Sequence, residues 1–320
     1  MALKGPVVGI DLGGTNMQIG VVTPEHKITG RAKKKTRADK GADAVLDRLA
    51  EGVDEACDQA GIALNQVAAI GIGAPGAIDH ERGIVMEAPN LRWNDYPLAK
   101  TLSARLGGKP VVLDNDVNVA VFGENRLGVG GNASDVLGVW VGTGIGGGLI
   151  LNGELYHGFF GTAGEIGHTH LFPWAPLGMT KLEECCSRKY LMDRLARLIR
   201  ANHESILPEL TDKPLEEAGA STLAEAYSKE DALTVRVVNE AAELLGIVIA
   251  NFVTVLSLPL VILGGGLTEA MGDHFVDLVQ DSVRRHVFPD RCRKVKIVET
   301  KLADNAGLLG AALLARERLS

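Results

Sequence analysis

The chain reads as an α/β protein built from two related domains, and three observations lead there. A strand–glycine-turn–strand pattern occurs twice, apolar periods of two and of about 3.6 alternate between and after the copies, and 320 residues exceed one ordinary domain. The first copy is Val7-Val8-Gly9-Ile10-Asp11-Leu12-Gly13-Gly14-Thr15, continuing as Asn16-Met17-Gln18-Ile19-Gly20-Val21-Val22. The second is Val136-Leu137-Gly138-Val139-Trp140-Val141-Gly142-Thr143-Gly144, continuing through Ile145-Gly146-Gly147-Gly148 into Leu149-Ile150-Leu151. Gly9 matches Gly138 and Gly13 matches Gly142, so each copy predicts a strand, a glycine turn and an antiparallel partner strand.

The remaining elements follow in order. Val45, Leu49, Val53, Ala56 and Ala60 fall three or four apart, which puts one apolar stripe on a helix that Gly61 ends. Residues 67–72 form a short apolar run broken by Gly73-Ala74-Pro75-Gly76, and Val111-Val112-Leu113 forms another that runs into Asp114-Asn115-Asp116. Strands alternating with helices predict partly parallel sheets. The second half predicts helices at 187–203, 222–227 and 232–257, strands at 260–263 and 295–298, and a final Ala/Leu-rich helix at 305–319. Residues 173–184 have no period and predict an irregular loop.

Composition excludes several classes. Hydrophobic residues at 46% and charged residues at 23% match a folded globular chain. Lys and Arg number 33 against 40 Asp and Glu, a net charge of -7 that lacks the basic excess nucleic-acid binding draws on. Cys57, Cys185, Cys186 and Cys292 are too scattered for a disulfide scaffold, so a reducing cytoplasm is expected. The first residues lack the apolar core of a secretory signal, so no export is expected. Residues 244–263 carry no charge over membrane-spanning length, but Asn251, Thr254, Ser257 and Pro259 interrupt them, which predicts a buried helix and strand and no membrane partner.

Five stretches carry chemistry. Gly142-Thr143-Gly144-Ile145-Gly146-Gly147 fits G-x-G-x-x-G, but a strand follows where a dinucleotide site needs a helix, and no Walker lysine motif occurs. The two glycine hairpins instead offer backbone N–H groups to phosphate oxygens. Asp11 beside such amides calls for a cation, Mg²⁺ being the natural one, unless it is a surface turn aspartate. Asp114 and Asp116 stand at a strand end, where either caps the next helix or accepts a proton from a substrate hydroxyl. Gly161, Gly164, Glu165, Gly167 and His168 set a carboxylate and an imidazole in a glycine framework suited to a polyhydroxy ligand. His168, His170, Cys185 and Cys186 lack zinc-ligand spacing, so zinc is not expected.

Asp11-Leu12-Gly13-Gly14-Thr15-Asn16, Asp114-Asn115-Asp116-Val117-Asn118, Gly142 to Gly148, Gly161-Thr162-Ala163-Gly164-Glu165-Ile166-Gly167-His168 and Leu263-Gly264-Gly265-Gly266, in this order, resemble the ROK family of bacterial sugar kinases and repressors, and within it the glucokinases. The resemblance spans nearly the whole chain and implies the two-lobed actin-like ATPase (ribonuclease H-like) fold. Its lobes would be 1–116 plus 305–320 and 117–304, with sugar and ATP in the cleft between them. By motif it implies Asp116 as catalytic base, and Asn90, Asn115, Glu165, His168 and Glu183 as sugar ligands. Gly13, Gly14, Thr15 and Asn16, with Gly142, Thr143 and Gly144, would hold phosphates; Asp11 would serve Mg²⁺ and Gly265 and Gly266 the adenosine side. The implied activity is ATP-dependent phosphorylation of glucose at the 6-hydroxyl by a cytoplasmic homodimer. Kinases for mannose, fructose, N-acetylglucosamine and N-acetylmannosamine share the motifs, and some relatives take polyphosphate. The family's repressors carry a DNA-binding domain that is not expected before Val7, so the non-enzyme alternative is a sugar-sensing repressor-like protein without that domain; an actin-like assembly or chaperone protein would share the phosphate loops but not Gly164-Glu165-Ile166-Gly167-His168.

The sequence departs from the family in one place. Its cysteine-rich zinc motif is replaced by the shorter, cysteine-free Ala175-Pro176-Leu177-Gly178-Met179-Thr180-Lys181-Leu182-Glu183. No structural zinc is expected, Glu183 is expected to keep its sugar role, and packing of Phe172, Trp174 and Leu177 is expected to hold the loop.

Overall fold

The computed structural model describes residues 3–320. They form two compact units. Unit 1 comprises the chain up to Asn132 with Leu155–Ala163 and Asp304–Ser320; unit 2 comprises Ala133–Glu154 and Gly164–Ala303.

Unit 1 opens with β1 (Val7–Leu12), β2 (Asn16–Val22) and β3 (Ile28–Lys35), followed by α1 (Ala42–Ala60) and β4 (Ala69–Ala74). Then come β5 (Ala77–Asp79), β6 (Ile84–Ala88), β7 (Trp93–Tyr96), α2 (Leu98–Arg105), β8 (Val111–Asn115) and α3 (Asp116–Leu127). The main sheet has the order β3-β2-β1-β4-β8, and β5-β6-β7 form a small second sheet that sequence periodicity did not reveal. The first hairpin is antiparallel with Gly9 opposite Gly20, whereas β1 runs parallel to β4, and β4 to β8. Val7, Val8, Ile10 and Leu12 are all fully buried, so β1, central between antiparallel β2 and parallel β4, is covered on both faces. On α1 the predicted stripe is fully buried at Val45, Leu49, Val53 and Ala56 and partly buried at Ala60. Gly61 ends that helix in the left-handed conformation (φ 69°), its N–H donating to the carbonyls of Asp58 and Cys57.

Unit 2 contains β9 (Val136–Val141), β10 (Ile145–Leu151), the first residue of β11 (Glu154–Leu155), α4 (Glu183–Cys186), α5 (Arg188–Arg200), α6 (Ala220–Ser228) and α7 (Ala232–Leu256). It continues with β12 (Leu260–Gly264), α8 (Gly266–Met271), α9 (Asp273–His286) and β13 (Lys296–Glu299). The sheet order β11-β10-β9-β12-β13 repeats that of unit 1: an antiparallel hairpin, here with Gly138 opposite Gly148, and then parallel strands. The repeat read from the glycines is thus a repeat of topology. The uncharged stretch becomes α7 and β12, with Leu245, Ile249, Val253 and Val261 in the core, and no helix among the described residues is long and apolar enough to cross a membrane.

The last helix, α10 (Ala306–Arg318), packs on β1, β4 and α3 of unit 1. Glycine permits the approach: a Cβ at Gly9 would lie 2.1 Å from the Leu308 carbonyl oxygen, and one at Gly71 only 1.8 Å from that of Ala311. Because α3 packs against α10, it lies in unit 1, and the boundary falls after Asn132 where the sequence reading put it after 116.

Candidate functional site

The corner between β8 and α3 separates the roles that the sequence left open. Asn115 is the helix cap: its Oδ1 accepts from the N–H groups of Val117 (2.9 Å) and Asn118 (3.1 Å), and its Nδ2 donates to the Gly76 carbonyl at 3.1 Å. Asp114 is only 1% exposed. Its Oδ2 accepts from Arg318 Nη2 at 2.7 Å and lies 2.8 Å from His157 Nε2, while its Oδ1 accepts from the Asn115 N–H (2.8 Å) and Asn118 Nδ2 (3.0 Å). Burial alone would raise its pKa, but the hydrogen bond and charge of His157, with Arg318 and Asn118, hold it at about 2. Asp116 is the opposite case. Burial pushes its pKa up to about 6 against the pull of the Val117 N–H, which donates to Oδ1 at 2.9 Å. Of the two aspartates, only Asp116 is tuned to take a proton near neutral pH.

Unit 1 gathers its other candidates around the first hairpin. The turn is closed by Gly13 N–H donating to the Asn16 carbonyl (3.0 Å) and is tied to the end of β3 by Thr36 Oγ1 donating to the Gly13 carbonyl (2.6 Å). A Cβ on Gly14 would lie 3.1 Å from that of Asn90, so this glycine brings the turn and the asparagine side by side. Gly14, Thr15 and Asn90 share a cavity of about 380 Å³ with Lys35, Arg37 and Arg92. Asp11 lies against the start of α10, where a Cβ on Gly307 would meet its Cγ at 2.8 Å. Burial, with smaller contributions from the nearby charges of Asp116 and Asp304, pushes its pKa up to about 7.

Unit 2 gathers its candidates around the second hairpin. Gly142 N–H donates to the Gly144 carbonyl, and Arg188 clamps the turn: its N–H donates to the Gly142 carbonyl and its Nη2 to Thr143 Oγ1, all at 2.9 Å. Glu183 Oε2 accepts from the Ile145 N–H at 2.7 Å and fills the space beside Gly144, where a Cβ would come within 2.3 Å of it. The turn bearing Glu165 and His168 backs onto the same hairpin, since Cβ atoms on Gly164 and Gly167 would strike the carbonyl oxygens of Gly147 (2.8 Å) and Ile145 (2.1 Å). His168 is exposed, with Nδ1 3.3 Å from Lys181 Nζ. Gly265, at φ 87°, approaches the Val141 backbone, and Gly266 begins α8.

The loop that replaces the zinc motif corrects one expectation. Phe172, Trp174 and Leu177 do not hold it, because they are 44%, 97% and 99% exposed. Polar contacts do the work: Glu184 Oε2 accepts from the Thr180 N–H (2.9 Å), Thr180 Oγ1 (3.1 Å) and the Lys181 N–H (3.0 Å). Leu182, at the end of that stretch, is fully buried in the same core cluster as Cys185 and Cys186. Burial raises the pKa of both thiols, as expected of structural cysteines. Among the described residues no group of three His, Cys, Asp or Glu side chains is placed to hold a metal ion. Sequence reasoning missed His157, Arg188, Glu184 and Arg318, none of which lies in a glycine motif.

The ROK family model matches residues 7–318. The chain is 31% identical to a glucokinase of Thermotoga maritima over 99% of both proteins, and 31% identical to an N-acetyl-D-glucosamine kinase of Mannheimia succiniciproducens over 96% of this chain and 98% of that one. Among solved structures it is similar to a ROK family glucokinase from Streptomyces griseus in complex with glucose and AMPPNP. That match has a TM-score of 0.86 and 32% identity, covering 98% of this chain and all of the other. The chain is a sugar kinase of the two-lobed actin-like ATPase fold and belongs to the ROK family.

Proposed function

We propose that this kinase transfers the γ-phosphoryl group of ATP to the 6-hydroxyl of glucose. The observation that carries the reading is the contrast at the β8–α3 corner, where Asp114 is fully engaged and Asp116 has its pKa raised to about 6. Asp116 accepts the proton of the 6-hydroxyl as that oxygen attacks phosphorus in line with the leaving ADP. Asn90, Asn115, Glu165 and His168 orient the sugar, and Glu183, whose Oε2 is taken by Ile145, turns its Oε1 to a hydroxyl. The backbone of Gly13, Gly14, Thr15 and Asn16 and of Gly142, Thr143 and Gly144 receives the phosphates, and Gly265 and Gly266 border the adenosine.

The donor set fits Mg²⁺. Asp11 supplies a hard oxygen in a field made negative by Asp116 and Asp304, and this ion is commonly held by one or two carboxylates plus substrate phosphates, without an all-protein cage. When bound, it offsets charge on the phosphate oxygens.

The Streptomyces griseus glucokinase bound to glucose and AMPPNP supports glucose and ATP as substrates, while the N-acetyl-D-glucosamine kinase at equal identity to the Thermotoga maritima glucokinase favours an amino-sugar kinase as second reading. A coupled assay of ADP release over a panel of sugars, with ATP and polyphosphate as donors, tests both. Glucose with ATP is expected to show the highest kcat/KM. A higher value for N-acetylglucosamine would replace glucose, and ADP release that no sugar stimulates would remove the kinase reading.

A further inference from the structure

Asp114 takes no part in the proposed transfer, yet its carboxylate joins three segments that are far apart in sequence. It ends β8, His157 belongs to the stretch Leu155–Ala163 by which the chain re-enters unit 1, and Arg318 is the last residue of α10. The Asp114 side chain is 1% exposed, against 12% for His157 and 27% for Arg318. His80, just beyond β5, stacks on the outer side of His157 with ring centroids 3.8 Å apart. A carboxylate this buried is tolerated only when paired, and leaving it with one partner fewer is strongly destabilising locally.

The pairing leads to the reacting centre in two steps. Asp114 Oδ1 accepts from the Asn115 N–H and from Asn118 Nδ2, which fixes both residues. Asn115 Oδ1 then accepts from the Val117 N–H, and that same N–H also donates to Asp116 Oδ1. We propose that Asp114, clamped by Arg318 and His157, is the positioning residue for Asp116, so that the last turn of the C-terminal helix sets the placement of the base. The inference rests on Asp116 being that base. Of the residues proposed to orient the sugar, Asn115 lies in this network whereas Glu165 and His168 belong to unit 2, so its loss is expected to act more on the chemical step than on sugar binding. A clamp that only held the fold together would lower apparent kcat no further than the folded fraction falls, with sugar KM unchanged.

The test uses the full chain carrying Arg318→Gln, His157→Gln or Arg318→Lys, with kcat and sugar KM from the ADP assay, melting temperature, and amide hydrogen exchange over 112–122. A misplacement of about 1 Å costs on the order of 100-fold in rate, so Arg318→Gln is expected to lower kcat about 10- to 100-fold, beyond any fall in the folded fraction, with a smaller rise in sugar KM. Exchange at Val117 and Asn118 is expected to quicken, and Arg318→Lys to recover most of the rate. A folded Arg318→Gln enzyme with wild-type kcat and unchanged exchange would overturn the proposal. So would a kcat that falls only in proportion to the folded fraction. A wild-type chain with no sugar-dependent ADP release is a different failure: it overturns the kinase reading, and with it the base that Asp114 is proposed to place.

Discussion

Exchanging Asp116 for asparagine keeps the side-chain shape and the acceptor for the Val117 N–H, and removes only the charge and the proton affinity. A positioned general base contributes typically 10² to 10⁴-fold, about 3 to 5 kcal/mol of transition-state stabilisation, so kcat should fall by that factor with little change in glucose affinity. The pH dependence follows from the same group. Burial raises the carboxyl from 3.8 to about 6, so wild-type kcat should climb as pH rises through about 6 and level off above about 7, and the variant should lack this limb. Stability should move the other way. A carboxyl whose pKa is raised in the fold penalises the folded state as pH rises from the unfolded value through about 6, by at most about 3 kcal/mol, less what partial solvent access relieves. The asparagine variant should therefore melt no lower than wild type at pH 7 while losing nearly all activity. Coupled ADP release at saturating glucose between pH 5 and 8.5, read beside melting temperature, measures both. A variant within about tenfold of wild-type kcat, or one keeping the acid limb, would refute the assignment.

Three further outcomes follow. Asp114, held at about 2 against 3.8 when unfolded, contributes about 2 kcal/mol that is present above pH 4 and lost as pH falls toward 2; urea unfolding across that window should show the loss in wild type and not in Asp114→Asn. Gly71→Ala would set a Cβ 1.8 Å from the Ala311 carbonyl oxygen, so it should destabilise unit 1 by about 1 to 3 kcal/mol or more in a denaturant titration, and an unchanged midpoint would contradict the described seat of α10. Glu184→Ala should release the loop at 173–182 and speed its proteolysis, while metal analysis of wild type should find no stoichiometric zinc; one zinc per chain would contradict the polar replacement.

What the sequence made legible has a common character: it was local. Gly61 stops α1 because a left-handed residue is written as glycine, and the matched pairs Gly9/Gly138 and Gly13/Gly142 announced two copies of one domain type, which fold as two sheets of the same order. The Asp-Asn-Asp run was visible as a site, and the family resemblance implied Asp116 as base and Asn115 as sugar ligand, but the residues alone did not separate Asp114 from Asp116. That Asp114 is held ionised depends on Arg318 and His157, brought in by folding alone, and that Asp116 is raised depends on its burial. The sheet β5-β6-β7 escaped because its strands are three to five residues long and interrupted by charge. Phe172, Trp174 and Leu177 misled for the reverse reason: apolar residues predict burial only on average, and the contacts that hold that loop come from one carboxylate, Glu184, meeting backbone N–H groups.

The central claim is that the Asp116 carboxylate receives the proton of the sugar's 6-hydroxyl, and a crystal structure of the wild-type protein with glucose and AMPPNP tests it most directly. The account predicts an Asp116 carboxylate oxygen within about 3 Å of glucose O6, with O6 facing the terminal phosphorus. A different hydroxyl in that position, or an Asp116 carboxylate beyond hydrogen-bond reach of O6, would contradict it.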